Sequence, residues 1–269
     1  MRSKFILYGL AIAALYACTH TDNVPGARVH TRMKASAYAP SDFQEGDEIG
    51  VSARAFNVPL CSNQAWRYSN GVFTSADSIT VEIGTELRLS AYYPYEAALD
   101  DAAPTLSIDT RATDYTDYLW ATDTLTINNS SVQADLQFRH ILTRIECVFL
   151  PSPLYPQDEN LSLTLSGVQT KVEKNIMTGA ESLSNEGSIA RNTQPNQAVW
   201  IELPAQHAKP VISFTYAGNS YMVTPATEQH YEAGRSYRYD ITFGPQSDPT
   251  ISLMEISEQS TNFQLAPRR

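Results

Sequence analysis

Apolar and polar residues alternate in many short segments of this chain, and this pattern constrains its fold more than any other feature. Because every second side chain of a β-strand points to the same face, alternation over a few residues is typical of a half-buried strand. No long stretch shows the helical period of 3.6 residues. The pattern predicts strands at 28–38, 79–83, 87–93, 161–168, 199–203, 211–217 and 237–243.

Turn-forming residues separate the predicted strands. Asn70-Gly71 and Gly218-Asn219 lie between such segments, and Asn and Gly favour the backbone conformations of tight turns. The 15 tyrosines add to the β-bias, because aromatic side chains fit a half-buried sheet surface. Many short strands joined by turns predict an all-β protein of antiparallel β-sandwiches. The longest irregular region, 96–117, has room for a short helix.

The N-terminal segment has the composition of an export signal. Two basic residues precede thirteen apolar residues, 5–17, which suit a signal peptide and are too few to span a bilayer. A small residue and then Cys18 end the segment, which resembles the site where bacterial lipoproteins are cut and acylated. We expect 1–17 to be a lipoprotein signal peptide, Cys18 to carry lipid and 18–27 to be a tether. The alternative is an ordinary secretory signal with an incidental cysteine.

Lipid on Cys18 would place the protein in a bacterial cell envelope, with the outer membrane as one partner, because two or three acyl chains form a stable anchor. The net charge is −10, which excludes a nucleic-acid-binding surface as the dominant feature. Cys61 and Cys147 remain. Although the envelope permits disulfides, both lie in apolar, strand-like segments, so we expect buried free thiols.

The apolar pattern changes phase within 134–150. The apolar positions are first Leu136 and Phe138, and later Ile145 and Cys147. Such a shift indicates either a bulge or a strand that leaves one core and enters another. We therefore predict two sandwiches, 28–133 and 134–245, followed by a C-terminal extension at 246–269; the proline-rich stretch 151–156 is a competing boundary.

No constellation of residues indicates catalysis, a metal site or a cofactor site. The histidines lack metal-ligand spacing, and His140 lies between apolar strand residues, as a satisfied core histidine would. Asp109, Asp114, Asp117 and Asp123 are grouped like ligands of a hard cation, but they lack the order of a known calcium loop. We interpret them as acidic turn residues and expect no enzyme and no cofactor.

Five segments of the chain resemble, in order, the fimbrillin family of Bacteroides-type pilins. Any one motif is weak evidence, whereas the ordered set, together with the lipoprotein signal, is specific. The motifs are FQEGDEIGV (43–51), AYYPY (91–95), DYLWA (117–121), LQFRHILTRIE (136–146) and YEAGRSYRYDITF (231–243).

The resemblance implies two tandem transthyretin-like β-sandwiches in a fimbrial subunit that is exported as a lipoprotein. It also implies assembly by donor-strand insertion: in many members an Arg-specific protease removes an N-terminal strand, and a strand of another subunit fills the groove. Such a strand restores both ladder hydrogen bonds and apolar core. The partners would then be other fimbrial subunits at the cell surface.

The two ends of the chain bear on this assembly. In cleaved relatives the cut follows an arginine at the far end of the first strand, whereas here Arg28 and Arg32 lie before or inside it and the next is Arg54. Arg32 is the first choice for cleavage and Arg28 the second. Short apolar alternations in 250–269 suit a donor strand, or else a tail that packs on its own domain.

Two functions remain at this point: a structural or accessory fimbrial subunit, or a non-polymerising surface lipoprotein that binds glycans or acts as an adhesin. Candidate aromatic residues for glycan contact are Trp66, Tyr68, Trp120 and Trp200, each of which is also suited to packing. Ser78 and Thr124 follow an aspartate and precede an apolar residue, which resembles the O-glycan acceptor of Bacteroides-type envelopes.

Overall fold

The structure is a computed structural model that describes residues 28–38, 43–56, 58–99, 104–112, 116–129, 131–151, 159–244 and 247–258. Within these ranges the chain forms β-strands and turns, with no helix. The prediction of an all-β protein is therefore confirmed. In the same ranges there is no helix long and apolar enough to cross a membrane. The signal peptide and Cys18 lie outside the described residues.

The strands before residue 141 form mainly one large sheet. They are β1 (Arg28–Tyr38), β2 (Glu48–Ala55), β3 (Val58–Ser69), β4 (Val72–Thr74), β5 (Ile79–Glu82), β6 (Glu86–Tyr93), β7 (Thr105–Asp109), β8 (Leu119–Thr126), β9 (Ser131–Gln137) and β10 (Arg139–His140). The strand order is β10-β8-β6-β2-β3-β4-β1-β5, and β9 also pairs with β1. We call residues 28–140 the N-terminal half.

The remaining strands form three further sheets. They are β11 (Leu142–Pro151), β12 (Leu161–Asn175), β13 (Glu181–Thr193), β14 (Ala198–Pro204), β15 (Gln206–Ala208), β16 (Val211–Tyr216), β17 (Asn219–Val223), β18 (Gln229–Tyr231), β19 (Arg235–Gly244) and β20 (Ser247–Glu258). The sheets have the orders β14-β11-β19-β20, β13-β12-β16-β17 and β15-β18, and β7 also pairs with β12. We call residues 142–258 the C-terminal half.

Antiparallel pairing dominates, with two parallel pairs in the described sheets. β1 runs parallel to β9, and β11 runs parallel to β19. Parallel neighbours need long connections, so these two pairs join segments that lie far apart in the sequence. The first parallel pair holds the N-terminal strand in its sheet.

Each half buries its own apolar cluster, and a third cluster lies between them. The alternation in β6 places Leu87, Leu89 and Ala91 in the N-terminal cluster. The alternation in β12 places Leu161, Leu163 and Leu165 in the C-terminal cluster. Members of the third cluster come from both halves: Tyr92, Leu106, Ile108, Ile141, Leu142, Val172 and Ile176.

The change of phase in 134–150 marks the passage from one core to the next. Leu136 belongs to the N-terminal cluster, Leu142 to the cluster between the halves, and Ile145 to the C-terminal cluster. The predicted boundary at 133/134 falls inside β9, which pairs with β1 along its whole length. The sheets change only between β10 and β11, seven residues later, because β9 and β10 still complete the first sheet.

The region 96–117 contains a strand and no helix among its described residues. β7 runs antiparallel to β12, with Ile108 opposite Val172. A strand from the N-terminal half thus extends a sheet of the C-terminal half. The expectation of a short helix was wrong here, because the pairing depends on a partner more than 60 residues away that local sequence does not reveal.

Candidate strand-exchange site

β1 lies in a slot in which each of its residues pairs with a neighbouring strand. Residues 28–31 pair antiparallel with β5, and residues 32–38 pair parallel with β9. Lys34 and Ala35 also pair antiparallel with Thr74 and Phe73 of β4. The sequence predicted this strand with its observed bounds, but the parallel partner was not foreseen.

The residues opposite β1 alternate between buried and exposed positions. Opposite positions 29, 31, 35 and 37 stand buried apolar residues: Val81, Ile79, Phe73 with Ala134, and Leu136. The intervening partners, such as Gln133 and Asp135, are exposed. Paired residues share a face of the sheet, so one face of this slot is apolar; we call it the apolar floor. The backbones of β4, β5 and β9 supply the hydrogen-bonding groups along the slot. A strand with period-two apolar residues fits such a slot.

The two candidate cleavage arginines occupy different places in β1. Arg28 is its first residue, so a cut there would leave the strand in the slot. Arg32 lies where pairing changes from β5 to β9, so a cut there would free only the residues that pair with β5. The next arginine, Arg54, lies in β2. None of these positions would release β1 as a whole.

β20 is an edge strand of the C-terminal half. It pairs with β19 from Arg235↔Glu258 to Gly244↔Ser247, and its other edge has no strand beside it within the described chain. Ile251 packs against the C-terminal cluster, whereas Leu253 is 38% exposed and Ile256 50% exposed. The candidate donor strand thus lies on its own half in this structure, with much of its apolar surface uncovered. Residues 259–269 lie outside the described chain.

The tip of the β12–β13 hairpin fastens the two halves together. The Trp120 indole donates a hydrogen bond to the carbonyl of Ile176 at 3.0 Å, and Lys174 Nζ lies 4.4 Å from the centre of the same ring. Arg54 and Ser90 both donate to the carbonyl of Met177. These contacts join the two halves at the hairpin tip.

A buried polar group lies beside this junction. His140 Nδ1 is 2.7 Å from Asp117 Oδ1, and Arg144 Nη2 donates to Glu202 Oε1 at 3.3 Å. Burial raises the pKa of Glu202, an effect that Asp117 reinforces and Arg144 opposes. Nearby, a cavity of about 80 Å³ is lined by residues that include Tyr118 and Arg191. Its small volume suits a few water molecules rather than a cofactor.

The described residues show no catalytic or metal-binding arrangement. The Nε2 atom of His140 has no hydrogen-bond partner there, so the Asp117–His140 pair lacks the nucleophile that an acyl-transfer site would place beside it. No group of three metal-ligating side chains occurs in these ranges. Asp109 pairs with Arg111, which lowers the pKa of that carboxyl group. Asp123 accepts backbone hydrogen bonds from Thr124 and Asp135, while Asp114 lies outside the described residues.

Three of the four aromatic candidates for glycan contact serve packing. Trp66 is fully buried, Tyr68 packs against the N-terminal cluster, and Trp120 belongs to the junction. Trp200 is exposed on β14, where the guanidinium of Arg144 lies 5.4 Å from its ring centre. A single exposed tryptophan over an arginine is a weak basis for a glycan site.

The modification and thiol candidates occupy distinct environments. Ser78 is exposed in a bend just before β5, and Thr124 is exposed within β8, opposite Arg88. A sugar transferase reaches a bend more easily than a paired strand, so Ser78 is the better acceptor of the two. Cys61 and Cys147 are free; Cys147 is buried as expected, whereas Cys61 is only half-buried. Burial raises the pKa of the Cys147 thiol to about 12.

Comparisons with known proteins identify a family and several similar folds. A family model described as fimbrillin-like matches residues 31–258. No curated protein matches the chain. A candidate cell adhesion protein from Bacteroides uniformis has 19% identity and a TM-score of 0.69, covering 87% of this chain and 99% of its own. A candidate cell adhesion protein from Bacteroides ovatus has 20% identity and a TM-score of 0.66, covering 86% and 98%.

A third similar structure is a tip fimbrial protein from Porphyromonas gingivalis, solved with a C-terminal truncation. It has 12% identity and a TM-score of 0.54, covering 86% of this chain and 100% of its own. At these identities the likeness establishes the fold, and the family model establishes the relationship. The chain belongs to the fimbrillin-like family.

Proposed function

We propose that this protein is a structural or accessory subunit of a cell-surface fimbria, exported as an outer-membrane lipoprotein and joined to other subunits by strand insertion. The family match supports the fimbrial role. The observation that carries the assembly step is the β1 slot: an N-terminal strand lies opposite buried apolar residues and pairs along its whole length, first with β5 and then with β9. Any strand that replaces it regains the same contacts.

The donor in this proposal is β20. It is an edge strand near the C-terminus, β19 is the one strand that pairs with it in the described chain, and Leu253 and Ile256 are substantially exposed. Leaving its own sheet costs β20 its ladder hydrogen bonds. Insertion into a neighbour's slot restores the ladder that the displaced β1 gives up, and it covers the apolar side chains of β20. The gain of the exchange is therefore the burial of apolar surface rather than additional backbone pairing.

The arginine positions favour a subunit that keeps β1 until a partner displaces it. A cut at Arg32 would empty only the part of the slot along β5, and a cut at Arg28 would empty none of it. This arrangement suits an accessory subunit, at the base or end of a fimbria, better than a repeating stalk subunit.

The donor role is tested with substitutions that spare the fold. Leu253→Asp and Ile256→Asp place charge on side chains that are already partly solvated, so we expect thermal unfolding close to wild type. In this proposal β20 keeps the bulge that it has opposite Arg238 and Tyr239, which brings Leu253 and Ile256 to one face. Both substitutions should then block entry into SDS-resistant ladders, because a charge in the slot would be buried without a partner. Met222→Asp, at a position that is 71% exposed on β17, is the matched control and should assemble normally.

Two truncations complete this test. Removal of 259–269 leaves β20 intact, whereas removal of 247–269 deletes it. If β20 is the donor, only the longer deletion abolishes the ladders. Normal ladders in both aspartate variants and in the longer truncation would contradict donation by β20.

A further inference from the structure

The turn between β2 and β3 presents two apolar side chains to solvent. Phe56 is 85% exposed and Val58 is 62% exposed, while Ala55 pairs with Val58 across the hairpin. Phe56 has the largest exposed fraction of the exposed large apolar residues in the described chain. Exposure of this apolar surface to water is unfavourable, so a partner that covers the tip would lower the free energy.

The backbone at this tip is also unfavourable for the residue it carries. Phe56 has φ = 53°, in the left-handed region. Two-residue hairpin turns of this kind favour Asn or Gly, and a bulky residue there costs roughly 1–2 kcal/mol. The exposed Phe56 side chain makes little packing contact within the folded chain that could offset this cost. A contact with another molecule would offset it.

The tip lies at the pole of the N-terminal half where β1 begins. Arg28 pairs with Glu82 at the end of β5, a short turn leads to β6, and Leu87 of β6 pairs with Ala55 beside the tip. The C-terminal half contacts these strands where Arg54 and Ser90 donate to Met177, and again toward the other end, where Trp120 pairs with Tyr92. The hairpin tip lies beyond Arg54, and the exposure of Phe56 and Val58 shows that the C-terminal half does not cover it.

The chain that precedes β1 reaches this same pole. The ten residues 18–27 can span at most about 35 Å between Cys18 and β1. A lipid on Cys18 would thus hold this pole close to the bilayer. Arg28 and Arg88 stand at these strand ends together with Glu82 and Glu86, so the strand ends do not share the strong negative charge of the whole chain.

We propose that the β2–β3 hairpin tip, through Phe56 and Val58, inserts into the interface of the lipid bilayer and acts as a second membrane contact beside the N-terminal anchor. Aromatic side chains favour the bilayer interface, and a second contact restricts the orientation of a protein that is held by lipid at one point. This inference rests on the proposed lipidation of Cys18. The contact would fix the orientation of the subunit, with its C-terminal half directed away from the membrane.

The test uses tryptophan as a reporter of the tip environment. Phe56→Trp and Val58→Trp are made in the full chain, and the purified lipoprotein is reconstituted into phosphatidylethanolamine–phosphatidylglycerol vesicles. The difference from wild type removes the signal of the three native tryptophans. We expect emission at shorter wavelength and quenching by lipids brominated near the headgroup. Met222→Trp in the C-terminal half is the matched control and should stay unquenched.

A parallel arm separates this inference from lipidation. Residues 19–269 are held on nickel-chelating vesicles by an N-terminal hexahistidine tag, so that the same pole faces the bilayer without Cys18. If the full chain fails to float with vesicles, the lipidation of Cys18 is contradicted but the tip contact is not. Quenching in the tagged arm would still support the tip contact. Absence of quenching at both positions in the tagged arm overturns the inference. A third outcome would also contradict the bilayer contact. If brominated lipid does not quench the two reporters, yet both are protected from aqueous iodide on intact cells, the tip contacts a protein partner instead.

Discussion

Substitution of Gly179 by alanine should weaken the junction between the two halves. Gly179 has φ = 75°, and an added Cβ would stand 2.8 Å from Cη2 of Trp120. The left-handed backbone alone costs about 1 kcal/mol for alanine. The ring must then move, which disturbs its hydrogen bond to Ile176 and its contact with Lys174, each worth about 1 kcal/mol. We expect the free energy of unfolding to fall by about 2–4 kcal/mol.

Gly218 provides a matched control for this experiment. It has φ = 74°, and nothing lies within 4 Å of an added Cβ. Gly218→Ala therefore carries the backbone cost without the overlap, and should lower the free energy of unfolding by about 1 kcal/mol. Both variants are measured by urea denaturation followed by tryptophan fluorescence. Equal destabilisation by the two substitutions would refute the packing argument at Trp120.

Three further predictions concern other parts of the chain. Cys18→Ser should release the protein from membranes or block its maturation, as fractionation and intact mass would show; a membrane-bound full-length precursor would contradict lipidation. Tyr92→Phe removes hydrogen bonds to Asn63 and Glu96 and should cost about 1–3 kcal/mol of stability. Burial raises the pKa of Tyr92 to about 12, so its stabilising contribution is complete below about pH 10 and is lost as pH rises toward 12; Tyr92→Phe should flatten this alkaline loss. Ser78→Ala should remove one glycan from the native protein, and an unchanged intact mass would exclude modification at that site.

Local pattern was sufficient to predict much of the fold. Alternation predicted β1 with its bounds Arg28–Tyr38, because a strand needs only its own residues to show period two. The change of phase after Phe138 predicted a passage between cores, because a buried side chain must point into one core or another. His140 was interpreted as a satisfied core histidine; it is buried with Nδ1 beside Asp117, but its Nε2 atom has no hydrogen-bond partner among the described residues.

Contacts between distant segments could not be predicted in this way. The pairing of β7 with β12, and of β1 with β9, depends on which strands meet in space, and alternation is the same for every partner. The fit of Trp120 against Gly179 depends on the position of a hairpin tip 59 residues away. The exposure of Phe56 was missed for a similar reason. A phenylalanine followed by asparagine between two strand-like segments was a turn signal, but apolar residues are expected to be buried.

Electron microscopy of surface filaments tests the central claim most directly. Antibodies against this protein are applied to wild-type cells, to a strain that lacks the gene, and to that strain complemented with Ile256→Asp. The account predicts label on filaments of the wild type, no label in the deletion, and label confined to the cell surface in the substituted strain. Label confined to the membrane in the wild type, with filaments unchanged in number and length in the deletion strain, would contradict a fimbrial role and favour a non-polymerising surface lipoprotein.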